Sequence, residues 1–334
     1  MSSLESLLAS FKDFKVSRGY NYRYYFSAPE PGKLSLLLVH GFPSLAIDWH
    51  HQINYFKAKG YGLVVPDQLG YGGTDKPVDH KEYHHGLLAK DLVEIVDHEK
   101  LTDVIAIGHD WGSKTTSVLG NLFADRFLGF GFFAAGYVPP RATMTFEQLQ
   151  TEITQALGYN VYGYWEFLSA PDAVELVTKN VDSFLDLIYA KDPSLWKTHC
   201  CPTGALRTWV ENNSRTPRGV TEELQRIYDA EFSKGGWTGP LNYYKAQIEP
   251  DGELEDAKKI PFANYKIHKP VFLGCTSKDE ICLPAFQKPI TAQFCPQTTV
   301  HDFDTGHWVL NEAADEVNEA LDKWIAGISA SGSA

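Results

Sequence analysis

Cysteine is scarce in this sequence, and the scarcity excludes a class of protein at once. The 334 residues hold five, Cys200, Cys201, Cys275, Cys282 and Cys295. An odd number spread this thinly makes no disulfide framework and reads as reduced thiols of a cytoplasmic protein. None has the cysteine and histidine spacing of a zinc site, so no metal is expected. Basic residues are also in deficit. Thirty against forty-two acidic ones leave a net charge of −12, which argues against nucleic acid as a partner, since that would call for a basic face. Long apolar runs are missing as well. The longest, such as residues 36–39, are strand-sized, and no membrane span is expected. The opening stretch MSSLESLLASFKDFKVSRG lacks the basic start and apolar core of a secretion signal. Without such a signal, the sequon at Asn212-Asn213-Ser214 reads as a coincidence.

What is present fits a soluble globular chain with a sizeable core: 43% hydrophobic and 22% charged residues. Short apolar runs alternate with amphipathic segments. Strands are predicted at 34–39, 62–65, 104–107, 130–134, 271–274 and 299–303, several of them apolar on both faces. Helices are predicted at 50–59, 84–99, 113–122 and 313–325, the last with Ala314, Val317, Leu321 and Ile325 at helical spacing. This alternation implies an α/β fold with a doubly wound, mostly parallel sheet. It breaks at 138–260, a stretch rich in aromatics that reads as a helical insertion over the C-terminal edge of the sheet. The predicted organisation is therefore a core of 1–137 and 261–334 with a cap of 138–260. The acidic run from Glu249 to Asp256 reads as a solvated loop, and the tail from Ser329 as frayed.

Residues 108–112 read GHDWG, directly after the strand-like DVIAI. A strand turning sharply into a helix between two glycines lifts the central residue, and here that residue is Asp110. Asp110 could instead cap the following helix, as aspartate often does. Two residues later in the chain favour chemistry. Asp279 comes just past the strand VFLGC, and His307 just past the strand VHDF, so nucleophile, acid and histidine stand in the order this turn expects. Asp302 and Asp304 are nearby alternatives for the acid, on the histidine's own strand and loop. HGFP, after the first long apolar strand, offers the N–H of Phe42 as an oxyanion donor beside the N–H of Trp111. The glycine-rich DQLGYGGTDKP at 67–77 reads as architecture at the same sheet edge.

With HGFP, DQLGYGGTDKP, GHDWG, Asp279 and GHWVLNEAADEV in place, the chain resembles an epoxide hydrolase of the α/β-hydrolase superfamily nearly end to end. The resemblance implies an α/β-hydrolase fold with a helical cap between strands. It also implies two cap tyrosines that hold and protonate the epoxide oxygen. Tyr164, in GYWEF, and Tyr244, in GPLNYY, match those positions, with Tyr159 and Tyr162 as near rivals of Tyr164. Trp165, Tyr243, Pro43 and Trp308 are expected in the pocket walls. In this reading Asp110 attacks the epoxide, and His307, oriented by Asp279, activates the water that hydrolyses the ester. The implied partners are a small apolar epoxide and water, with no cofactor, and the protein is either a monomer or a homodimer. A haloalkane or haloacid dehalogenase shares the aspartate and histidine, and a non-catalytic ligand-binding protein shares the fold. A serine esterase fits poorly, because Ser113 lies in the helix after the turn.

Overall fold

The protein is described by a computed structural model covering residues 4–141, 143–233, 236–249 and 257–331. Eight strands form one sheet: β1 (Lys12–Lys15), β2 (Asn21–Ser27), β3 (Ser35–Val39), β4 (Gly62–Pro66), β5 (Val104–His109), β6 (Gly129–Phe133), β7 (Val271–Thr276) and β8 (Thr298–Phe303). Their order is β1-β2-β4-β3-β5-β6-β7-β8, with β1 and β2 antiparallel and the rest parallel. Every residue of β3 through β7 is buried, because helices cover both faces; that is why SLLLV, GLVVP and VIAIGH show no alternation. β8 closes the edge and stays partly exposed.

The sequence reading missed β1 and β2. In NYRYYFS the ring-bearing positions Tyr22, Tyr24 and Tyr25 are buried while Asn21 faces solvent, an irregular pattern interrupted by Arg23.

The helices are α1 (Leu4–Ala9), α2 (His50–Ala58), α3 (His85–His98), α4 (Trp111–Leu122), α5 (Phe146–Leu157), α6 (Tyr164–Leu168), α7 (Ala173–Lys179), α8 (Val181–Ile188), α9 (Leu195–His199), α10 (Ala205–Glu211), α11 (Glu222–Phe232), α12 (Thr238–Ile248), α13 (Pro284–Phe294), α14 (Val309–Glu312) and α15 (Ala314–Ser331). Thus α5 to α12 all lie between β6 and β7. Buried polar contacts tie them to the loops after β3 and β4. Tyr228 donates to Asp48, Tyr189 to the carbonyl of Pro43, and Tyr243 to the carbonyl of Leu69 at 3.0 Å. α15 buries Val317, Leu321 and Ile325 as its stripe predicts and runs on to Ser331, so the tail expected to fray from Ser329 is helical at its start, and its residues 332–334 lie outside the described residues. Of the acidic run, all but Glu249 lies outside the described residues. No described helix is long and apolar enough to cross a membrane.

β3 pairs with β4 on one side and β5 on the other, so the chain reverses direction across the sheet at β3. The loops after β3 and β5 therefore diverge and leave a crevice above their ends, the usual ligand position in an open α/β sheet.

Candidate active site

Asp110 sits between β5 and α4 with φ 54° and ψ −122°, a conformation few side chains adopt. The glycines explain how the turn closes. A Cβ on Gly108 would meet the carbonyl of Gly112 at 2.2 Å, and one on Gly112 would meet the carbonyl of Val39 at 2.0 Å. Asp110 occupies the position before α4, but its side chain does not make the N-cap hydrogen bond to the helix's first turn, so capping is not what holds it. Instead, the N–H of Phe42 donates to Oδ1 at 2.8 Å, and the N–H of Trp111 lies on the same carboxylate. Burial raises the Asp110 pKa above the ordinary aspartate value, opposed by His307 and these two N–H groups.

The other oxygen, Oδ2, lies 3.7 Å from His307 Nε2. His307 Nδ1 lies 2.7 Å from Asp279 Oδ2, so Nδ1 carries the proton and Nε2 is free to accept one. Asp279 is fully buried, and its Oδ1 accepts the N–H groups of Ile281 at 2.8 Å and Cys282 at 3.0 Å. Burial would raise its pKa, but His307 and these bonds outweigh burial and hold it below the usual value. Burial likewise works to lower the His307 pKa, and is outweighed by Asp279, Asp110 and Glu312, which hold it above the ordinary histidine value. Asp302 and Asp304, the alternative acids, pair with Lys288 at 2.7 Å and Lys278 at 3.0 Å, away from the histidine.

Two residues that sequence reasoning did not assign hold the histidine's backbone. Glu312 accepts the N–H of Gly306 at 2.8 Å and that of Trp308 at 3.1 Å, bracketing His307 from both sides. His109 Nε2 donates to the His307 carbonyl at 2.8 Å. Burial, with His307 alongside, lowers the His109 pKa to about 3, so it stays a neutral donor. Both residues fall inside the motifs GHDWG and GHWVLNEAADEV, and that placement was the available signal.

A cavity of about 440 Å³ opens beside Asp110, lined mainly by apolar side chains with Trp111, Tyr162, Tyr164, Trp165 and Cys282 among them. Tyr244, on α12, lies edge-on to Phe42 at 4.7 Å, Trp111 at 5.2 Å and Tyr164 at 5.7 Å between ring centres. Burial and the Asp110 charge push both phenols well above the usual tyrosine value; Tyr244 adds to the rise at Tyr164, while the hydrogen bond with Tyr164 works against it at Tyr244. Of the rivals, Tyr159 donates to the Glu280 carbonyl at 3.2 Å, and Tyr162 lines the cavity against Trp165. Trp165 lines the cavity as expected. The other three expected wall residues turn their polar groups to other partners. Tyr243 turns its hydroxyl to Leu69 and its ring to Tyr71 and Tyr83, the Pro43 carbonyl accepts from Tyr189, and the Trp308 indole donates to the Ile188 carbonyl at 3.0 Å.

Residues 35–314 match the family described as alpha/beta hydrolase fold. Among curated proteins, the chain is 25% identical over 295 residues to bifunctional epoxide hydrolase 2 of Mus musculus, covering 87% of this chain and 51% of that protein. It thus spans about half the length of the mouse protein. It is 26% identical over 313 residues to epoxide hydrolase A of Mycobacterium tuberculosis, covering 90% and 93%. Among solved structures, epoxide hydrolase A from Mycobacterium thermoresistibile superposes with a TM-score of 0.75 at 24% identity, covering 95% of this chain and 98% of that one. The match over most of its length and the strand–turn–helix around Asp110 agree: this chain belongs to the α/β-hydrolase fold family.

Proposed function

We propose that this protein is an epoxide hydrolase that opens epoxides to vicinal diols through an ester on Asp110, with residues 138–260 as a cap over the site. One observation carries the reading: the two oxygens of Asp110 face different machinery. Oδ1 accepts the N–H of Phe42, with that of Trp111 on the same carboxylate, while Oδ2 lies beside His307 Nε2. Oδ2 attacks an epoxide carbon, and the phenols of Tyr164 and Tyr244 donate to the departing oxygen. The Asp110 charge that raises both phenols' pKa values disappears as the ester forms. Their acidity therefore increases as the alkoxide comes to need a proton.

The 3.7 Å between His307 Nε2 and Oδ2 is too long for a direct hydrogen bond and leaves the approach for a water. That water gives its proton to Nε2 and attacks the carbonyl carbon of Asp110. The oxyanion then forms on Oδ1, to which Phe42 already donates its N–H, with the N–H of Trp111 beside it on the same carboxylate. A single turnover in heavy-oxygen water with enzyme in excess tests this. The diol is expected to carry ordinary oxygen from Asp110; heavy oxygen in the first diol released would end the proposal.

Glu312 enters as a positioning residue. His307 serves as a base only when neutral, and its pKa is held up, so hydrolysis-limited turnover falls as pH drops through that raised value. Glu312→Gln removes one of the charges that raise it. The acid limb of the pH–rate profile is expected to move to lower pH, with kcat down roughly tenfold as the loop loosens. An unmoved acid limb would reduce Glu312 to scaffolding.

One observation favours a second reading. The indole Nε1 of Trp165 is buried and held only by a loose contact with the Tyr164 phenol, and an N–H of that kind suits a departing halide. Parallel assays with an aryl epoxide and a bromoalkane separate the two, and the tyrosine pair favours the epoxide.

A further inference from the structure

Cys282 stands beside the base without taking part in ring opening or ester hydrolysis. It is buried, it lines the cavity, and both its backbone N–H and its thiol turn to Asp279. One donor atom from each of Asp279, Cys282 and His307 lies within 4.8 Å of the other two, and all three residues are buried. A carboxylate, a thiol and an imidazole converging at one point are the donor set that zinc and its congener cadmium take, whereas calcium and magnesium want oxygen alone. Three protein donors, with Cys282 on the cavity wall, also leave a fourth position open.

We propose that Asp279, Cys282 and His307 form a site for a thiophilic divalent cation, zinc or cadmium, whose binding blocks the base. Metal–nitrogen and metal–oxygen bonds near ~2.1 Å in a tetrahedron set the two atoms roughly 3.4 Å apart. The 2.7 Å contact between His307 Nδ1 and Asp279 Oδ2 therefore opens by about 0.7 Å, and the thiol, within 4.8 Å of both, closes in by at most roughly an ångström. The site is adaptable rather than rigid. The proton balance gives the inhibition. A cation on Nδ1 takes the position of the proton there, and the neutral imidazole then carries its proton on Nε2. The nitrogen that would accept from water has become a donor. The thiol proton leaves to solvent, and nothing is oxidised. The effect on turnover rests on the base role proposed for His307; the cation site itself rests on the three side chains alone.

Cadmium titration of the purified protein tests both halves, read by the ultraviolet charge-transfer band between thiolate and cadmium. Wild type is expected to show the band at one equivalent, and Cys282→Ser and Cys282→Ala to lose it. Cys201→Ser retains it, because that thiol faces the Glu280 carbonyl instead. Diol formation in wild type is expected to fall with cadmium or zinc and to recover with EDTA. The half-inhibiting concentration should rise at least tenfold in both Cys282 variants, each measured against its own metal-free rate. A band that persists in the Cys282 variants, or never appears in wild type, overturns the site. A band lost in those variants with turnover untouched in wild type overturns the blocked base instead.

Discussion

Asp110→Ala is expected to lower epoxide turnover by roughly 10⁴-fold or more, the scale seen when a catalytic unit loses its nucleophile. His307→Gln is expected to stop turnover differently: after one ring opening, it leaves a protein heavier by one substrate. The contrast comes from the geometry. A carboxylate is the nucleophilic form of an aspartate and needs no base to attack; burial raises the Asp110 pKa, and His307 with the N–H groups of Phe42 and Trp111 opposes that rise. Ring opening therefore survives loss of the histidine. Ester hydrolysis does not, because no other described base faces the water position between Nε2 and Asp110. His109, the nearest candidate, gives its Nε2 proton to the His307 carbonyl, and burial keeps it a weak base. Intact-mass spectrometry of His307→Gln after incubation with an aryl epoxide reads the result. An unmodified mass, with Asp110→Ala also unmodified, would remove the covalent route.

The sequence made the centre of the sheet legible because β3 to β7 are buried on both faces, and nothing but apolar side chains fits there. It hid α13, where Pro284 and Pro289 look like breakers. In the structure Pro284 occupies the first turn, where no N–H is needed, and Pro289 costs the helix one bond. At the site, the order of Asp110, Asp279 and His307 was readable because each follows a strand end. Pocket walls were not, because wall membership depends on side-chain direction. Tyr243 and Tyr244 are adjacent on α12, and a helix turns about 100° per residue. One therefore reaches the rings around Asp110 while the other faces Leu69. Glu312 and Cys282 escaped for a similar reason. Each acts through a distance to its neighbours that only the folded loop fixes.

The paired variant Tyr164→Phe with Tyr244→Phe is expected to lose epoxide opening by roughly 10³-fold or more, while each single change costs roughly tenfold to a hundredfold. The leaving group sets the size of this loss. An alkoxide without a donor departs poorly, and the walls around Asp110 are otherwise mostly apolar. With one phenol left, the oxygen still finds a donor; with none, ring strain alone must drive the reaction. The loss should appear in single-turnover ester formation, because His307 and the N–H pair are untouched. Tyr243→Phe is the control. Its hydroxyl serves the Leu69 carbonyl, so removal should cost stability on the order of 1 kcal/mol and leave ring opening intact. Bromoalkane turnover that persists in the double variant while epoxide turnover vanishes would show that the phenols serve oxygen in particular. Full epoxide turnover in the double variant would mean that the proton comes from elsewhere, and the tyrosine pair would lose its role.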